Sequence, residues 1–356
     1  MASNVSACNP EKLVNFTTQA LQKVGVPAED AAITARKLVA TDLRGIESHG
    51  VAHLARYVHD IREGRVTPKP QIHVVSQSPA AASVDGDRGL GFVVGHRAMT
   101  EALTRAEATG AGFVSVRNST HYGAGSMYAL MALPHDMIGI SMTTGGLGMA
   151  VPGTTGRGAG INVLSVAAPA QQEPPFVVDM ATTVVAAGKV EIARREGKPI
   201  PEGWAVDSDG RPITDPKAYF DIKGALLPLG GIPQLGSYKG FALSAAVEMF
   251  CSVLSGGLPI PIMGRDPANQ GRANHFFGAL RVDRFLPLDA FKQGMDELIR
   301  TYQGLPKAPG VERVSVAGEL EYALEKERGR NGIPLHPAVL ATLQELGKDL
   351  GIACEL

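Results

Sequence analysis

The chain is short of cysteine, of net charge and of long apolar runs, and each shortage excludes something. Its three cysteines, Cys8, Cys251 and Cys354, are odd in number and widely separated. They fit neither a disulfide framework nor a zinc knuckle, and they suggest a reducing compartment. A formal net charge of −1 leaves no basic field of the kind that nucleic acid or an anionic membrane attracts. No apolar stretch reaches the roughly 18 residues needed to span a bilayer. The opening MASNVSACNPEKLVNF has no basic segment followed by an apolar one, so no secretory leader and a cytoplasmic location are expected. There is no internal repeat and no low-complexity tract. What is present is ordinary for a soluble globular protein, with 44% apolar and 19% charged residues in 356. That length suffices for a large core and two or three subdomains.

The patterning predicts a helix pair over residues 10–40, broken at Val24-Gly25-Val26-Pro27, and a further helix over 56–63. Residues 66–79 are extended and proline-punctuated. A strand over 80–84, a turn over 85–91 and a strong amphipathic helix over 92–109 follow. Strands are predicted at 112–116, 137–143, 163–169, 176–179 and 276–282. Helices are predicted near 126–133 and at 183–196, 289–303 and 319–329, with a largely buried one at 240–254. The Pro- and Gly-rich segment 197–236 keeps its apolar and aromatic residues, which predicts an ordered excursion. Alternating strands and helices indicate an α/β architecture. The expected division is a helical region, 1–75 joined by 285–356, and an α/β cofactor- and substrate-binding region, 76–284.

Gly89-Leu90-Gly91-Phe92-Val93-Val94-Gly95 lies where a dinucleotide fingerprint would lie, between strand and helix. Its spacing is G-x-G-x-x-x-G rather than G-x-G-x-x-G, and the next strand ends in Arg117-Asn118 without a ribose-holding acid. A tight strand-to-helix turn is the expected reading.

The run Asp42-Leu43-Arg44-Gly45-Ile46-Glu47-Ser48-His49-Gly50-Val51 sets a histidine beside a serine between glycines. Histidine is suited to passing a proton near neutral pH, and the Ser48 hydroxyl can fix one ring nitrogen while the other faces substrate. The alternative is a surface histidine at a helix end. His49 and His53 are four apart and would share a helix face, yet Gly50 stands where the zincin pattern needs glutamate, and no third ligand is evident. No G-x-S-x-G elbow supports a serine hydrolase. His121, in Asn118-Ser119-Thr120-His121-Tyr122-Gly123, follows a strand, the usual place for a binding residue on such a scaffold. Asp179, before Met180 and Ala181, can hold a ribose hydroxyl or merely cap a helix. Lys239, after Tyr238, can meet phosphate or carboxylate, or be solvated. Asn274, His275 and Phe276 open a strand and can contact an adenine or nicotinamide ring, or pack a loop.

These motifs, with Asp85 to Gly91, Ile200-Pro201-Glu202-Gly203-Trp204 and Leu227-Pro228-Leu229-Gly230-Gly231, come in an order that resembles the malate/L-lactate dehydrogenase family of the non-Rossmann type. That family also contains ureidoglycolate and sulfolactate dehydrogenases, diketogulonate reductase and cyclic-imine carboxylate reductases. The resemblance runs from about Leu38 to Leu335. It implies a non-Rossmann fold with a helical subdomain, usually a homodimer, and NAD- or NADP-dependent hydride transfer between a small 2-hydroxy acid and its 2-oxo acid, or reduction of a related C=N bond. By the resemblance His49 is the proton donor, Ser48 its relay partner and His121 a second active-site histidine. Asp179, Met180, Ala181, Tyr238, Lys239, Asn274, His275 and Phe276 are cofactor contacts by the same resemblance.

Three positions depart from the family pattern. His53 stands where arginine commonly holds the substrate carboxylate, and imidazole cannot reproduce a guanidinium fork. Arg44 or Arg56 is the expected substitute. Thr144 replaces a common asparagine at the substrate site, and Gly160-Ile161-Asn162-Val163 replaces G-T-N-P. The expected substrate is a malate- or lactate-like 2-hydroxy acid, and these departures leave open an unusual substrate or a lost activity. Outside this class, the sequence leaves open a metal-dependent hydrolase built on His49 and His53, and a non-catalytic cofactor-binding protein.

Overall fold

The computed structural model describes residues 6–154 and 156–356. The first five residues, on which the expectation of no leader partly rests, lie outside them. Among the described residues no helix is long and apolar enough to cross a membrane.

The helix pair forms as Pro10–Lys23 and Ala28–Leu43. Asn9 caps the first, its side chain accepting from the amides of Glu11 and Lys12, while Pro10 occupies the first turn, where no amide is missed. The apolar faces of both helices and of Leu54–Arg62 close into one core with the helix Pro337–Leu350. That last helix is absent from the sequence reading, although Val339, Leu343, Leu346 and Leu350 repeat at helical spacing between Pro337 and Gly351. The strand Ser6–Cys8 pairs antiparallel with Ile333–Leu335 and ties the two ends of the chain together.

The second layer is a seven-stranded sheet in the order His73–Gln77, Ala81–Asp85, Ala111–Thr120, Arg272–Arg281, Met137–Thr143, Val163–Ala168, Phe176–Ala181. The α/β class holds, but only one neighbouring pair is parallel, Ala81–Asp85 with Ala111–Thr120. A parallel pair needs a crossover, and the helix Gly91–Thr109 supplies it. Gly91 makes the turn tight: a Cβ there would run into the Thr120 and His121 carbonyls. The glycine run is therefore a packing device between helix and strand.

The 197–236 excursion is ordered. Its short strands join Leu147–Ala150 and Arg157–Gly160 in a five-stranded sheet over a core of Val190, Ile200, Ala205, Ile213, Tyr219 and Leu226. Two expectations need correction. The helix predicted from 183 begins only at Ala187, because the β-branched run Thr183-Val184-Val185 stays extended and Thr183 bridges to Pro228. The helix predicted as largely buried spans Ser237–Glu248 and continues through a wider turn over Met249–Val253. Its small residues Ser237, Gly240 and Ser244, with Val247 and Cys251, face inward, so Tyr238, Met249, Val253 and Leu254 are left exposed.

Candidate active site

Ser48, His49 and His53 sit on two successive short 3-10 turns, Glu47–His49 and Val51–His53, between longer helices. Asp42, buried at the end of the preceding helix, holds the turns by accepting from the Val51 amide at 2.8 Å. Gly50 is required there, since any Cβ would strike the Asp42 carboxylate. Burial pushes the Asp42 carboxyl up to about 7, against the pull of the Val51 amide. Arg328 clamps the same segment, donating to the Asp42 carbonyl at 2.7 Å and to Glu47 at 2.6 Å.

Ser48 Oγ lies 2.8 Å from His49 Nδ1, and His53 Nε2 donates to the Ser48 carbonyl at 2.8 Å. His121 arrives from the sheet, just beyond Ala111–Thr120. Its ring stacks on His49 at 5.7 Å and lies edgewise to His53 at 5.9 Å. The Tyr57 hydroxyl, whose ionisation burial disfavours, donates to His121 Nδ1 at 2.7 Å. That bond leaves the ring hydrogen of neutral His121 on Nε2, so the second nitrogen is a donor. Burial is also the main cause lowering all three imidazoles: His49 to about 4, His53 below its ordinary value, His121 well below it. At neutral pH they are uncharged. A cavity of about 250 Å³ opens beside Tyr57 and His121, with Arg56 on its wall. Arg56 is half exposed and 3.5 Å from Asp60. Among the described residues no group of three or more His, Cys, Asp or Glu side chains is disposed to hold a metal ion.

The other expected site residues divide. Arg44 is 3% exposed, pairs with Glu325 at 2.7 Å and lines a different cavity. Thr144 is buried and exchanges hydrogen bonds with the Asn274 backbone. The Asn274 side chain is engaged with Asn118, Ser252 and Leu258. His275 has no exposed surface, stacks on Tyr122 at 4.8 Å, and contacts Thr143 and Ser119 through its two nitrogens. Burial lowers it to about 3. Phe276 packs on Phe113 and Phe250. Asp179 accepts from the Ser126 amide at 2.8 Å, with its pKa raised by burial, and Met180 and Ala181 beside it are half-buried. Tyr238 and Lys239 are exposed in the first turn of Ser237–Glu248, whose start has no side-chain cap. Gly230, Gly231 and Gly236 precede that turn with positive φ, and the Ser237 hydroxyl is buried without a hydrogen-bond partner.

Two residues escaped the sequence reading. Tyr57 was legible as the third member of the His49, His53, Tyr57 series at helical spacing. Arg195 was not, because long-range packing brings it in. Its helix, Ala187–Glu196, comes so close to the Ser48 turn that a Cβ on Gly188 would lie 2.6 Å from Ser48 Cβ. Arg195 acts electrostatically on His53, and no hydrogen bond or ion pair engages it among the described residues.

Residues 8–344 match the family described as malate/L-lactate dehydrogenase. The chain is 43% identical over 343 residues to a malate dehydrogenase of Pyrococcus horikoshii, covering 96% of this chain and 95% of the relative. It is 35% identical to an L-sulfolactate dehydrogenase of Methanocaldococcus jannaschii, covering 97% and 98%. The crystal structure of a malate dehydrogenase from Entamoeba histolytica superposes with a TM-score of 0.96 at 31% identity, covering 99% and 100%. The chain belongs to the malate/L-lactate dehydrogenase family and is an oxidoreductase acting on CH–OH groups.

Proposed function

We propose that this oxidoreductase interconverts a small 2-hydroxy acid and its 2-oxo acid with NAD or NADP, and that His49 carries the substrate proton. The observation that carries the reading is the pairing of a serine-fixed His49 with His121, both neutral and stacked. With Nδ1 engaged by Ser48, Nε2 of His49 is the nitrogen left for the substrate. In the oxidative direction the neutral ring accepts the hydroxyl proton, and in reduction the imidazolium returns it. An anionic substrate beside the ring favours the imidazolium, offsetting the cost of burial. His121 Nε2–H is placed to donate to the substrate oxygen. The nicotinamide ring would accept or supply the hydride.

The residues present fit such a cofactor. The uncapped start of Ser237–Glu248, the glycines before it and Lys239 suit a pyrophosphate. The unpartnered Ser237 hydroxyl gives that turn a further polar group. Asp179, Met180 and Ala181 would lie along the ring end. A fluorescence titration with NADH and with NADPH tests this part, followed by a panel of 2-oxo acids and cyclic-imine carboxylates; failure of both dinucleotides to bind overturns it.

His53 has no guanidinium fork, so the substrate carboxylate falls to Arg195, with Arg56 as second cation. Losing a charge-assisted hydrogen bond costs about 1.5–3 kcal/mol, so Arg195→Gln should raise KM for the oxo acid about 10- to 100-fold. Dinucleotide affinity should stay unchanged in the same titration. An unaltered KM removes Arg195 from the site.

The apolar cluster shared by residues 8–66 and 333–350, which Leu90, Phe92 and Val93 also join, supports grouping the two ends of the chain as one helical unit. For the expected homodimer, the exposed Met249, Val253, Leu254 and Ile262 offer the contact face. Leu254→Asp should halve the mass seen by light scattering in solution, and an unchanged mass assigns the contact elsewhere.

A further inference from the structure

A second cavity, of about 320 Å³, lies between the helices Ala28–Leu43, Gly91–Thr109 and Glu319–Asn331 and the segment from Ser126 to His135. Neither His49, His53 and His121 nor the turn at Ser237 line it. Its lining is of two kinds. Arg36, Lys37, Arg44 and His96 are basic or polar, with Glu325 as the sole carboxylate, while Ile33, Leu130 and Met131 are apolar.

The polar lining is incompletely satisfied. Arg44 spends Nη1 on Glu325 while its Nε is buried without a partner, and so is His96 Nδ1. Buried polar atoms are seldom left unpaired in folded proteins, so two of them on one cavity wall need an explanation. Arg36 is exposed and makes no ion pair among the described residues. Lys37 donates to the Met127 carbonyl at 2.9 Å and to Met131 Sδ at 3.5 Å and lies over the Tyr128 ring at 4.4 Å, with no carboxylate bonded to it. Burial, assisted by Arg36, lowers its ammonium to about 7. The lining thus sets Arg36, Arg44 and the Lys37 amine against one carboxylate already paired with Arg44, and an anion beside them would favour the charged form of Lys37.

We propose that this cavity binds a small aliphatic carboxylate, with its head among Arg36, Lys37 and Arg44 and its chain against Leu130 and Met131. The apolar lining residues argue for a carboxylate bearing a hydrocarbon chain rather than a bare oxyanion. The site is separate from the proposed catalytic one, so its test needs no turnover.

Calorimetric titration of the whole protein with hexanoate, and in parallel with inorganic phosphate, tests this. The expected result is saturable hexanoate binding that weakens at least tenfold in Arg36→Glu and in Leu130→Trp and persists in His49→Ala, with phosphate binding at least tenfold more weakly. Arg36 lies on the surface, so its variant keeps the reading open if Leu130→Trp does not fold. Absence of saturable hexanoate binding overturns the proposal. So does binding that survives Arg36→Glu but is lost in His49→Ala, which would put the carboxylate at the imidazoles. Phosphate binding as tightly as hexanoate overturns the ligand class.

Discussion

His49→Ala should lower the reduction rate by about 10²- to 10⁴-fold, the usual contribution of a positioned general acid. The dinucleotide dissociation constant should barely move. The split follows from where His49 sits. It occupies a short turn of the helical unit and faces His121, whereas the groups suited to the dinucleotide lie along Phe176–Ala181 and at the start of Ser237–Glu248. Removing the imidazole leaves Ser48 without its ring partner but does not touch Asp42 or Gly50, so the turn should keep its path. Stopped-flow reduction at saturating dinucleotide is the measurement. Turnover within twofold of the parent would take His49 out of the chemistry.

The second large effect is acid instability. Five histidines have their pKa lowered in the folded chain: His49 and His96 to about 4, His275 to about 3, and His53 and His121 in the same direction. Each has an ordinary value of 6.5, so between 6.5 and the folded value the unfolded chain binds more protons. Stability is then complete above about pH 6.5 and is lost as pH falls through the folded values. For His275, which has no exposed surface, the loss is on the order of 1.4 kcal/mol per pH unit through that window. Asp42 and Asp179 work the other way. Their raised carboxyls favour the folded state between their ordinary value and, for Asp42, about 7. Two carboxyls against five imidazoles leave a net loss in acid. Thermal unfolding should show the midpoint falling by roughly 10 °C between pH 7 and pH 5 at the few degrees per kcal/mol expected for a chain of this size. A midpoint that stays level or rises over that range would show that the imidazoles are not held neutral.

Much of this was readable along the chain, and what was not has a common cause. Helix periodicity gave the Pro10–Lys23 and Ala28–Leu43 pair, and the strand at Met137–Thr143 matched to the residue. The Ser48–His49 pair was legible because its members are adjacent. The antiparallel character of the sheet was less visible. It depends on Arg272–Arg281 inserting between Ala111–Thr120 and Met137–Thr143, strands more than a hundred residues earlier. The burial of Arg44 and the engagement of Asn274 and His275 arise from side chains distant in sequence, such as Glu325, Ser252 and Ser119. Arg195 was hidden for the same reason. Local pattern reveals which residues are suited to chemistry, while only the fold reveals which of them are already occupied.

The strand pairing and shared core of the two chain ends have a consequence for synthesis. The turn that carries His49 packs through Val51 into a core that also needs Ile333 to Leu350, translated long after it. His121 also precedes that segment in the chain, and the ring it stacks on belongs to the turn the segment supports. In a chain emerging from the ribosome the His49 turn would therefore gain its full packing only once Ile333 to Leu350 has also emerged, well after Val51 and Leu54.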